Sequence, residues 1–130
     1  MASDLLAAGV DRDEIISRIY NQYGENRLRL LGHILKDLLV ITEDGVAYIV
    51  LDRNTQKKYS VAEGDTEGFV NMPLSIAGVR MSILVKEDEG RIRVSIRSRR
   101  GTSANGCARQ FFNGGGHENA AGGRLDVPKD

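Results

Sequence analysis

The chain has 130 residues, one domain's worth and long enough to bury a core without covalent staples. With 41% hydrophobic and 28% charged residues it has the composition of a soluble globular protein, and its longest apolar runs are strand-sized, too short for a membrane span. One cysteine and two histidines cannot supply an intramolecular disulfide or a Cys/His zinc site; nothing reads as a signal peptide, and a cytoplasmic location is the expectation.

The formal charge of zero conceals a segregation. Arg91, Arg93, Arg97, Arg99, Arg100 and Arg109 occupy a stretch, ending at His117, that has no acid. The remainder holds 12 Lys and Arg against 18 Asp and Glu. A local positive patch on an otherwise acidic protein suggests a phosphate-bearing ligand, the competing reading being a solvated strand face.

In chain order, Asp11 and Glu14 fit a helix start, and Ile15, Ile16, Ile19, Tyr20 and Tyr23 make one apolar face. Gly24 breaks that pattern. A second helix carries Leu31, Ile34, Leu35 and Leu38 at helical spacing, with His33 beside the stripe and no acid or cysteine suitably spaced to it. Leu39–Thr42 and Val46–Leu51 read as strands around a Glu43-Asp44-Gly45 turn, the second apolar on both faces as in a central strand. Short helices are predicted near Thr55–Val61 and Thr66–Met72, the latter capped by Asp65 and stopped by Pro73.

Val79–Lys86 alternates, with Met81, Ile83 and Val85 on one side and Ser82, Leu84 and Lys86 on the other. After a turn at Asp88-Glu89-Gly90, Ile92, Val94 and Ile96 point inward and Arg91, Arg93, Ser95 and Arg97 outward. Thr102 or Ser103 can cap a helix with Ala104, Cys107, Ala108 and Phe111 on one stripe, making Cys107 a small core residue. A glycine loop, a short helix and a last strand near Arg124–Val127 complete the chain. The predicted fold is α/β, a mixed sheet with helices packed on it and two N-terminal helices in front.

Gly114-Gly115-Gly116-His117 is the stretch with the most chemical content. Consecutive glycines allow close backbone approach and can leave peptide N–H groups open to an anion, reinforced if the Ala-rich segment after them is helical. His117 can donate a hydrogen bond or carry charge near neutral pH. The plainer reading is a tight turn with a surface histidine. Gly101 to Gly106 has P-loop spacing but lacks the Lys-Ser/Thr pair, and no nucleophile triad or cluster of metal-ligating residues is visible.

Asp65-Thr66-Glu67-Gly68-Phe69-Val70-Asn71, Val94-Ser95-Ile96-Arg97-Ser98, and Ala108–Phe112 leading into the GGGH run and Ala120-Ala121-Gly122 carry a resemblance. Over residues 45–127 the chain resembles the DHH-associated substrate-binding domain of the DHH-family phosphoesterases, which include exopolyphosphatase-related proteins. Residues 4–40 resemble the segment that follows the catalytic domain in the oligoribonuclease/pAp-phosphatase branch. The resemblance implies residues 1–38 as a helical linker from a catalytic domain absent here, and 39–130 as the substrate-binding domain. That absent domain, the implied N-terminal partner, would hold two metal ions, usually manganese; no cofactor is expected in this chain.

By the same resemblance Gly114, Gly115, Gly116 and His117 would bind a substrate phosphate, and Arg97 and Ser98 a phosphate or terminal nucleotide. The implied ligands are short oligoribonucleotides, 3′-phosphoadenosine 5′-phosphate (pAp) or dinucleotides, and the chain alone is expected to be inactive. A homodimer is possible. Two alternatives stay open: a non-catalytic RNA-binding module using the same loop, and an interaction domain that pairs through its N-terminal helices.

Overall fold

The computed structural model describes residues 24–61, 66 and 68–126. The first predicted helix and the Asp65 cap lie outside these residues. Helix α1 (Glu25–His33) carries a Glu25–Arg29 ion pair at 2.7 Å and runs on into a π-helical turn over Ile34–Leu38. Leu30 and Ile34, one turn apart, are fully buried. His33 does have an acid within reach, one turn on: its Nδ1 lies 3.0 Å from Asp37 Oδ2, and its ring stacks on Tyr59.

Strands β1 (Val40–Ile41) and β2 (Val46–Leu51) form an antiparallel hairpin. Its turn needs Gly45 at φ 84°, where a Cβ would overlap the Gly78 carbonyl. Strand β2 is not apolar-buried on both faces as expected. Ala47, Ile49 and Leu51 are buried while Tyr48 and Val50 are exposed, because only one face at this end of the sheet is covered.

The crossover to β3 holds α2 (Arg53–Lys58) and a 3-10 helix at Phe69–Ser75. Helix α2 starts earlier than predicted because Asp52 caps it, accepting a hydrogen bond from the Thr55 N–H at 2.7 Å. That bond holds the Asp52 carboxyl below its usual pKa, so the cap stabilises while ionised and loses its advantage as pH falls through the folded-state pKa. Asp52→Ala is therefore expected to lower the melting temperature at pH 7. The gap from wild type should close in acid, which a pair of melting curves at each pH would check. The second short helix begins after Gly68 (φ 87°), later than predicted, and Pro73 sits inside it instead of ending it. A 3-10 turn tolerates this proline in a way a longer α-helix would not.

Strands β3 (Met81–Asp88) and β4 (Arg91–Ser98) form the predicted hairpin, with Glu89 and Gly90 both at positive φ. Ser103 caps α3 (Ala104–Phe111) by accepting from the Gly106 N–H at 2.9 Å. Phe111, expected on the buried stripe, is exposed, and Phe112 packs on the core in its place. Cys107 is half-buried there, and burial pushes its thiol pKa up, as suits a packing residue. Strands β5 (Gly115–His117) and β6 (Ala120–Asp126) follow. The segment after the glycines is thus a strand, not a helix.

The sheet order is β1-β2-β3-β4-β6-β5, with β2 and β3 parallel and the other neighbours antiparallel. On one face Leu30, Ile34, Phe69 and Val70 pack over Ile49, Leu51 and Leu84. On the other, Ala104 and Ala108 of α3 pack over Met81, Val94, Ile96 and Ala121. The first covering reaches β4 and stops short of β6 and β5. That gap positions the site.

Candidate functional site

The glycine run is shaped by close contact between two backbones. Asn113 at φ 50° turns the chain out of α3, and Phe112 to Gly114 then lies directly against Gly122 to Arg124. A Cβ on Gly114 would overlap the Gly122 carbonyl oxygen and stand 2.6 Å from Gly123 Cα. One on Gly123 would overlap the Phe112 carbonyl. Gly116, at φ 153°, would bring a Cβ within 2.8 Å of the Ala120 carbonyl oxygen.

The amides expected to lie open to an anion are partly committed elsewhere. Gly114 N–H donates to the Ala108 carbonyl at 3.0 Å, and Gly116 N–H to Asn105 Oδ1 at 3.1 Å. Both bonds tie the run to α3. With β6 a strand, no helix N-terminus stands behind the glycines either.

A cavity of about 960 Å³ opens on the sheet face beside the Leu84 core. Gly115, Gly122 and Gly123 line it without side chains, next to Ser95. Arg97, Arg93, Lys86 and Arg124 line it as well, and among the described residues no carboxylate does. Arg97 is half-buried, and its Nη1 donates back to the Ile96 carbonyl at 2.9 Å, which keeps its head at that end of β4. The strand register puts Lys86, Arg93 and Arg124 in one row across β3, β4 and β6. Lys86 Nζ donates to Thr66 Oγ1 at 3.4 Å, and Arg93 has Asp88 at 3.7 Å, both partners of that pair well exposed.

Of the residues singled out in the sequence, Arg97 and Gly115 are brought together in the cavity wall. Ser98 points the other way. Its buried hydroxyl donates to the Thr102 carbonyl at 2.7 Å and accepts from Asn119 Nδ2 at 3.0 Å, locking the end of β4 to the β5–β6 turn. His117 is exposed on edge strand β5 and is not part of the wall. Ala120, its register partner, is in turn the partner of Arg97, so two strand spacings, about 10 Å, separate the two backbones.

Lys86 and Arg124 do not stand out in the sequence. Counting back from the predicted turn places Lys86 opposite Arg93. Arg124 carries no such signal while the residues before it read as helix.

Among the described residues no three His, Cys, Asp or Glu side chains come close enough to hold a metal ion. These residues therefore do not fit a two-metal centre. Nor does any helix among them have the length and apolarity to cross a membrane. The arrangement offers cations and a smooth floor, which suits holding an anion.

Residues 31–130 match the family model of the DHHA1 domain. The bifunctional oligoribonuclease and PAP phosphatase NrnA of Bacillus subtilis is 31% identical over 112 residues, covering 84% of this chain and 35% of that protein. NrnA of Thermus thermophilus is 31% identical over 131 residues, covering 96% and 36%. The chain thus spans about a third of the length of these relatives. An exopolyphosphatase-related protein from Bacteroides fragilis superposes with a TM-score of 0.86 at 43% identity, over 98% of this chain and 38% of its own. The fold alone is shared with the pGpG-specific phosphodiesterase PggH of Vibrio cholerae, at a TM-score of 0.60 and 14% identity over 88% of this chain and 40% of that one.

Proposed function

The chain belongs to the DHHA1 domain family, and from that premise we propose that it is the phosphate- and nucleotide-clamping part of a two-metal phosphodiesterase. Its substrates would be short oligoribonucleotides, pAp or dinucleotides. The observation that carries the reading is the cavity itself, floored by glycine backbone and walled by Arg97, Arg93, Lys86 and Arg124. A guanidinium can meet two phosphate oxygens at once, and a floor without side chains lets a sugar-phosphate backbone lie close. The names of the relatives support the substrate class.

On this reading the DHH domain that precedes DHHA1 in such enzymes is the partner, and it brings the manganese and the attacking water. The chain by itself grips and does not cut. Incubated with manganese and either bis(p-nitrophenyl) phosphate or short oligonucleotides, the pure chain is expected to release no product. Chelator-sensitive turnover would overturn this. Binding should saturate at a few nucleotides; affinity that kept climbing with strand length would instead favour a general RNA-binding module.

A further inference from the structure

We propose that the row Lys86–Arg93–Arg124 is a second anion subsite, separate from Arg97, which takes a further phosphate of a linear oligonucleotide. The inference rests on the reading of the cavity as a phosphate site and adds a length requirement to it.

The row carries an electrostatic cost. The register sets Lys86 opposite Arg93 and Arg93 opposite Arg124, on strands about 4.8 Å apart. Like charges directly opposite destabilise a sheet, and three in line do so twice. Nothing described in the cavity wall offsets them: Lys86 meets a neutral hydroxyl, and Arg93 only a long contact with exposed Asp88. A fold that carries this row gains from it when an anion fills the space.

Distance makes the subsite a separate one. Arg93 and Arg97 lie on the same face of β4, four residues or about 13 Å apart along the strand. The Arg97 head is fixed on the adjacent Ile96 carbonyl at 2.9 Å, which keeps it within one residue of its own backbone and about three residues of strand short of the row. One phosphate, bonding at about 3 Å, does not serve both places. Ser95, Gly122 and Gly115 form the stretch between, where a backbone linking two phosphates meets no bulky side chain.

The test is titration of the full chain with 5′-AMP, pApA and pApApA. Arg124→Gln and Lys86→Gln are measured beside Arg97→Ala. The row variants are expected to weaken pApApA about ten-fold, the loss of one charge-assisted hydrogen bond, and 5′-AMP by far less. The salt dependence of pApApA binding should become shallower by about 0.7 in log–log slope for each phosphate no longer neutralised. At low salt Arg124→Gln should melt no lower than wild type, because a repulsion has been removed; a merely structural arginine would do the opposite. Equal weakening of all three ligands, or of none, would overturn the second subsite. If Arg97→Ala also left every affinity intact, the cavity reading itself would fall. If Arg97→Ala weakened all three ligands and the row variants none, only the length requirement would fail.

Discussion

Among the described residues Gly114→Ala is expected to be the most damaging added methyl. The added Cβ would overlap the Gly122 carbonyl oxygen and approach Gly123 Cα to 2.6 Å. Each of these obstacles is backbone, held by the β5–β6 ladder and by the Arg124 N–H bond to the Phe112 carbonyl at 3.0 Å. No rotamer change relieves it, so a strand has to move. Overpacking of this kind costs about 3 kcal/mol or more, which in a domain of this size lowers the melting temperature by about 10 °C. Gly115→Ala is the control. Its Cβ would stand 3.3 Å from Asn105 Oδ1, the end of a side chain, and 3.6 Å from Arg109 Cγ. It should cost far less. Equal melting temperatures for the two variants would show that the run is glycine for some reason other than contact between backbones.

Arg97→Ala should produce the largest loss of ligand affinity. Arg97 and Lys86 are both half-buried in the cavity wall, and of the two only Arg97 has a planar fork that meets two phosphate oxygens; partial burial strengthens its attraction for a phosphate relative to a fully solvated guanidinium. Removing one charge-assisted hydrogen bond of about 1.5–3 kcal/mol corresponds to a fall of about ten- to a hundred-fold, read by titration with 5′-AMP. Thermal stability should hardly change, since the hydrogen bond its head makes is to its own neighbour's carbonyl. His117→Ala makes an instructive companion. The imidazole stands outside the wall on the edge strand, so the chain's own affinity should be little altered. A His117→Ala effect as large as that of Arg97→Ala in the isolated chain would mean the ligand lies over β5 instead of in the cavity.

Much of this architecture is legible in local patterns. The β3–β4 hairpin follows from strict alternation and a two-residue turn, and the capped helix α3 from Ser103 and its alanines. Burial and turn geometry here are set by residues a few positions apart, so the sequence displays them directly. The parts it does not display depend on distant neighbours. Alanine and glycine after His117 are equally compatible with helix or strand by spacing, and β4 on one side and β5 on the other decide for strand. Val46–Leu51 looks like a strand buried on both faces, yet α3 does not reach far enough to cover Tyr48 and Val50.

The sequence alone determined that residues 91–117 concentrate positive charge beside a run of glycines, and that its motifs are those of the DHHA1 domain family. These are properties of composition and short-range order, and they survive any arrangement of the chain. Tertiary structure alone decided which cations share one cavity and what the glycines are for. It set Ser98 facing away and bonded to Thr102, drew Lys86 and Arg124 into line with Arg93, and committed the Gly114 and Gly116 amides to α3. The physical reason is the register of the sheet: pairing between strands far apart in sequence chooses which side chains meet, and a shift of one residue would turn every one of them to the other face.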